Sequence, residues 1–221
     1  MAKVGVMLSG CGVFDGSEIY EAAFTVLAIE AAGADVVFIA PDVDQMHVID
    51  HAKGHPAAGE RRGVLAEASR FARGPARDAA SERAADIDAL IVPGGFGAAK
   101  NLSTYATQGA NCTVQKDVDR LIKEMYAHGK PLGFICIAPV IAAKVLGQGV
   151  KLTIGEDPAT AEALKAMGAR HEPRPVDDIC VDETQKVVSA PAYMYGDARR
   201  PQIQAGINKL VAKVLEMAGQ A

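Results

Sequence analysis

The sequence predicts an α/β fold with a mostly parallel central sheet, and three observations predict it. Short apolar, β-branched runs recur at residues 4–8, 36–40, 90–92 and 132–135. Helical stretches separate them, and that alternation indicates βαβ crossovers that bury a parallel sheet on both faces. The 221 residues, 49% hydrophobic and 23% charged, suffice for one α/β domain over 1–221, and no Pro/Ser/Gly-rich linker marks a second.

Each element has its own justification. The run 4–8 leads into the loop Ser9-Gly-Cys-Gly-Val-Phe-Asp-Gly16. Ser17 can cap a helix over 18–32, and Gly33 can close it by adopting the left-handed conformation that glycine tolerates. A second strand follows at 36–40. Residues 42–85 break the rhythm and read as an insertion, with His47, His51, His55 and six arginines (Arg61, Arg62, Arg70, Arg73, Arg77, Arg83). Within it, 61–72 has the pattern of an amphipathic helix. Beyond the strand at 90–92, helices are expected at 114–127, 137–146, 159–167 and 201–217. Two short β runs within 176–189, separated by polar residues, read as a hairpin.

Composition excludes several function classes. A net charge of −4 leaves no basic footprint for nucleic acid or anionic lipid. The apolar start of the chain is too short for a signal-peptide core, and runs such as 89–92 fall far short of a membrane span, so a cytoplasmic protein is expected. Cys11, Cys112, Cys136 and Cys180 form no CxxC pair and no zinc-finger spacing, so free thiols and no metal are expected. His47, His51 and His55 have metal-like spacing, but Gly54 and Pro56 break any helix through His55 and no nearby Cys completes a ligand set. They read as solvated loop histidines.

Two motifs carry chemistry. In Lys130-Pro-Leu-Gly-Phe-Ile-Cys-Ile-Ala-Pro139 a buried strand ends at Cys136 and a helix follows at once. A free Cys is ordinarily a small buried gap-filler. On a strand-to-helix elbow, however, the side chain is thrust out of the sheet near helix N–H groups, which favour a nucleophilic thiolate. In Ile91-Val-Pro-Gly-Gly-Phe-Gly97 a second strand runs into a turn whose Gly94 and Gly95 let backbone approach closely. The N–H groups of Gly95 and Ile137 would then form an oxyanion hole beside Cys136.

These motifs, in this order, resemble the PfpI/ThiJ superfamily, relatives of the class I glutamine amidotransferases, and more narrowly its ElbB-type subgroup. The matching segments are SGCGVFDGSEIYE (9–21), ALIVPGGFGAAKNL (89–102), GKPLGFICIAP (129–139) and PVDDI…APAYM (175–194), and the resemblance covers essentially the whole chain. It implies a flavodoxin-like three-layer sandwich and a homodimer. It also implies a cofactor-independent glyoxalase that converts glyoxal or methylglyoxal to glycolate or lactate. It directs attention to Glu21 as the acid that touches the elbow Cys and relays protons, with Glu18 one turn earlier raising its pKa by like-charge repulsion. Two departures stand out. Ile137 follows Cys136 where protease-like members have His, and the stretch 151–156 lacks the His that glyoxalase-like members often carry. His128 lies before the elbow strand, on the opposite edge of the sheet.

Other readings remain beside this one. Gly10, Gly12 and Gly16 approach a dinucleotide-binding fingerprint with the third glycine one place late, and Asp42 stands where a ribose-binding acid could. A non-enzymatic thiol sensor or accessory metabolic protein would use Cys136 as the oxidised group and Cys11 as resolving thiol. Lys100 and Asn101 could contact substrate or cap a turn; Tyr193 could line the pocket rim or cover a core edge; Cys112 reads as structural.

Overall fold

In the computed structural model, which describes residues 1–220, the chain begins with β1 (Lys3–Met7), α1 (Ile19–Ala31) and β2 (Asp35–Ala40). A small hairpin, β3 (Ile49–Asp50) and β4 (His55–Pro56), precedes α2 (Val64–Ala72) and β5 (Arg77–Asp78). Next come β6 (Ala89–Val92), two short helices α3 (Phe96–Lys100) and α4 (Tyr105–Gln108), and α5 (Lys116–Ala127). The second half runs β7 (Leu132–Ile135), α6 (Pro139–Leu146), β8 (Lys151–Leu152), α7 (Pro158–Ala166), β9 (Arg170–His171), β10 (Cys180–Asp182), β11 (Val187–Ala190) and α8 (Arg200–Met217).

Seven strands form the central sheet in the order β10-β11-β7-β6-β1-β2-β5, all parallel except β10. Period-two alternation splits its side chains between two cores. Val4 and Val6 face one side with Ala89 and Ile91, under α1, α2 and α8. Met7, Leu90 and Val92 face the other, under α5, α6 and α7. The three-layer α/β sandwich expected from the sequence is therefore the fold. The chain winds from β1 outward to β2 and then returns to β6 on the other side of β1. At that switch point the carboxyl ends of neighbouring strands open a crevice.

Several expectations shift in detail. Gly33 (φ 74°) does close α1, its N–H donating to Glu30 O and the next amide, Ala34, to Ile29 O. Ser17 does not cap it. Glu18 is the cap, its Oε2 accepting the Glu21 N–H at 2.7 Å, because a carboxylate at that place reaches the first-turn amide. Ser17 Oγ instead accepts the Ser9 N–H at 2.9 Å. The elbow helix begins at Pro139, two residues later than expected, since Cys136–Ala138 form a tight turn with Ala138 N–H bonded to Ile135 O. Segment 42–85 is more than an insertion: it supplies β5, an edge strand of the main sheet, and its helix starts at Val64.

Candidate active site

Cys136 follows the last residue of β7 with φ 60°, a left-handed conformation that strains a residue with a Cβ. Its N–H is tied to Ala190 O of the adjoining strand at 2.9 Å. That fixed backbone aims the sulfur across the carboxyl ends of β7 and β6, where only 8% of the residue remains exposed. The sequence-predicted elbow is thus present, and its backbone is strained.

Glu21, in the first turn of α1, meets the sulfur from the other side and is fully buried. Gly94 N–H donates to its Oε2 at 3.0 Å and Tyr193 N–H to its Oε1 at 3.2 Å, so both carboxyl oxygens are held. The Cys136 thiol is paired with this carboxyl. Gly94 lies between them: a Cβ there would sit 2.5 Å from Cys136 Cβ and 2.6 Å from Glu21 Oε2. The amides of Gly95 and Ile137 both face the Cys136 sulfur. Cys136, Glu21, Gly94, Gly95 and Ile137 therefore converge.

The electrostatics correct one expectation. Helix and turn amides do favour the thiolate, but burial and then the adjacent Glu21 outweigh them, and Cys136 is held well above the usual thiol range. Glu21 is pushed up to about 8, by burial first and by the Glu18 charge second, against the two amides and the thiol that favour its anion. Glu18 is itself raised by burial, with the Glu21, Tyr20 and Ile19 amides and Arg200 opposing. At neutral pH the resting pair is a thiol beside a largely protonated carboxyl.

A cavity of about 330 Å³ opens over Cys136 and Ile137, lined also by Val13, Glu18, Gly95, Phe96, Asp157, Thr160, Tyr193 and Met194. Asp157 was not singled out from the sequence. It caps α7, Oδ2 accepting the Thr160 N–H at 2.7 Å, and the Thr160 hydroxyl and amide hold its carboxyl below the usual range. The Asp-Pro pair at a helix start was the signal available for it. Tyr193, considered as a rim residue, does line the cavity and also contributes the amide on Glu21.

The remaining candidates fall elsewhere. Asn101 is buried and fully used as a clasp, Nδ2 donating to Ser9 O (2.9 Å) and Asp15 O (2.8 Å) and Oδ1 accepting Met46 N–H (2.9 Å). Cys11 sits among Glu67, Arg70 and Asp15 rather than lining the Cys136 cavity, and burial raises its thiol. His51 is not merely solvated: its Nε2 accepts Phe14 N–H at 3.3 Å and its ring packs 5.1 Å from that of Phe14. Among the described residues no group of three or more His, Cys, Asp or Glu could hold a metal ion. The 10–16 loop offers a poor phosphate cradle, because its Gly12, Gly16 and Phe14 amides already donate to Ser17 O, Gly12 O and His51 Nε2, and the Glu18 carboxylate occupies the N-terminus of α1. No helix among the described residues is long and apolar enough to cross a membrane.

Comparison with known proteins identifies relatives of the chain. A sequence model of the DJ-1/PfpI family matches residues 11–194. The chain is 50% identical over 228 residues to the human glutamine amidotransferase-like class 1 domain-containing protein 3, mitochondrial, covering 99% of this chain and 84% of that one. It is 49% identical over 228 residues to the mitochondrial ES1 protein homolog of Rattus norvegicus, covering 99% and 85%. Among solved structures, the isoprenoid biosynthesis protein with amidotransferase-like domain from Ehrlichia chaffeensis superposes with a TM-score of 0.89 at 31% identity, covering 97% of this chain and 99% of that one.

Proposed function

The chain belongs to the DJ-1/PfpI family, and from that premise we propose that it is a cofactor-independent glyoxalase converting glyoxal to glycolate and methylglyoxal to lactate. One observation carries the reading: a strained elbow cysteine is paired with a buried carboxyl under two converging backbone amides. Substrate entry brings the aldehyde carbon to the sulfur. The Cys136 S–H proton passes to the ionised Glu21 as the S–C bond forms, and the amides of Gly95 and Ile137 hold the developing oxyanion. Glu21 returns that proton to the oxyanion, leaving a neutral hemithioacetal, and, ionised again, moves a proton from the former aldehyde carbon to its neighbour through an enediol. The first carbon is oxidised to a thioester and the second reduced to an alcohol, so no external oxidant or reductant is consumed. Water cleaves the thioester, releasing the hydroxy acid and restoring the thiol.

A carboxyl near pKa 8 suits this work: it ionises close to working pH and returns a proton readily. The thiol-sensor reading has less support, since a protonated, buried thiol reacts slowly with oxidants. The proposal includes membership of the ElbB-type subgroup and a homodimer. It places the protein in a reducing compartment, the cytoplasm or, as the names of the human and rat relatives have it, the mitochondrion. The test is direct detection of glycolate and lactate from wild type, Cys136→Ala and Glu21→Gln. Acid formation should vanish in Cys136→Ala and fall by about 10²–10⁴-fold in Glu21→Gln. Acid formation indifferent to both substitutions would overturn the assignment.

A further inference from the structure

Three features of the Cys136 cavity bear on what it accepts. The first is size: at roughly 30 Å³ per water-sized unit, its volume of about 330 Å³ has room for about eleven non-hydrogen atoms, whereas glyoxal has four and methylglyoxal five. The second is lining. Val13, Phe96, Ile137, Tyr193 and Met194 supply an apolar wall, and among the described residues the ionisable side chains that line it besides the Cys136 thiol and the Tyr193 phenol are the acids Glu18 and Asp157. Among the described residues no Lys, Arg or His lines the cavity itself, the Lys100 ammonium standing outside it against the Phe96 ring. The third is the mouth. Phe96, which lines the cavity, is 52% exposed, and its ring centroid lies 6.3 Å from that of Phe14, itself outside the lining.

That aromatic rim is built rather than loose. Phe96 N–H donates to Val13 O at 2.7 Å, Lys100 Nζ donates to Phe14 O at 2.8 Å, and the same ammonium lies 5.3 Å from the centre of the Phe96 ring. His51 braces Phe14 from behind. Aromatic surface held open to water at a cavity mouth loses solvent contact when an apolar group enters, which favours binding of such a group.

Building on the glyoxalase reading, we propose that the preferred substrate is an α-oxoaldehyde carrying an aryl or bulky alkyl group, and that anionic analogues are excluded. In this arrangement the dicarbonyl lies over Cys136 and Glu21, and the substituent lies against Phe96, Tyr193 and Met194. Phe96 and Met194 are the specificity-determining side chains. The reaction is the one already written, R–CO–CHO plus water giving R–CH(OH)–COOH, with the larger R group outside the reacting atoms.

The experiment measures kcat/KM for glyoxal, methylglyoxal and phenylglyoxal with the hydroxy acid quantified. It also compares Cys136 alkylation by iodoacetamide and iodoacetate, each normalised to glutathione. Phenylglyoxal should exceed methylglyoxal by at least about ten-fold, the discrimination an apolar pocket gives for a few added carbons. Phe96→Ala and Met194→Ala should each narrow the phenylglyoxal-to-glyoxal ratio. Normalised alkylation by iodoacetate should lag iodoacetamide by about ten-fold or more, a readout that needs no turnover. If glyoxal and methylglyoxal are converted as fast as or faster than phenylglyoxal, this inference fails while the glyoxalase reading stands. If no oxoaldehyde yields acid in a folded protein, the glyoxalase reading fails and takes the substrate class with it. Equal normalised alkylation by the two reagents overturns the exclusion of anions.

Discussion

At the scale of single residues, the chemistry rests on proton transfer from Cys136 to an ionised Glu21, and pH should expose it. A carboxyl raised in the folded state to about 8 from its ordinary 4.5 binds more protons folded than unfolded between those values. Its contribution to stability is fully present below about pH 4.5 and is lost as pH rises through about 8. Thermal denaturation of wild type should therefore decline relative to Glu21→Gln between pH 5 and 8, by about 2–4 °C for each kcal/mol of linkage; parallel curves would contradict the buried acid. Activity should move the opposite way. If Glu21 must be ionised to take the thiol proton, kcat/KM rises with pH through about 8, with the apparent value belonging to the pair. Gly94 offers a steric check: Gly94→Ala should cost about 1–3 kcal/mol by overpacking and should separate thiol from carboxyl. Stability and acid formation measured on the same variant report both effects.

At the scale of elements, the site depends on a loop that belongs to no strand or helix. Residues 9–17 carry Val13 to the cavity and deliver Glu18 to the head of α1. Asn101 clasps this loop through Ser9 O and Asp15 O, while Asp15 Oδ2 accepts Ile49 N–H at 2.7 Å from the 42–85 segment. Asn101→Leu leaves the buried Ser9 and Asp15 carbonyls without this partner and frees the part-buried Met46 N–H, and at about 1–3 kcal/mol for each buried group left unpaired the loss should exceed that of an ordinary surface change. Melting temperature and limited proteolysis within 9–17 read this out; an unchanged loop would show the clasp to be dispensable. The sequence placed Asn101 near the PGG turn but could not tell a ligand from a clasp. That choice depends on Ser9, Asp15 and Met46, which are distant in sequence.

At the scale of the whole molecule, the sheet order brings the carboxyl ends of β1, β6 and β7 side by side, and the loops after them carry the 9–17 loop, Gly94–Gly95 and Cys136. The homodimer proposed for this fold is checked by sedimentation of the 23.1 kDa chain, where a single monomeric species would remove it. The sequence by itself determined the alternation of buried strands and helices, the left-handed stop at Gly33, the elbow at Cys136 and the two-glycine turn opposite it. These are local: period, turn chemistry and a strand ending at a helix are written in neighbouring residues. Only the tertiary structure decided that Glu18 rather than Ser17 caps α1, that Cys11 lies apart from the cavity and that Asp157 and Met194 line it. It also reversed the charge state expected of Cys136. A helix terminus favours a thiolate, but desolvation is set by everything packed around the sulfur. Here burial and the Glu21 carboxyl, far from Cys136 along the chain, make the neutral thiol the resting form.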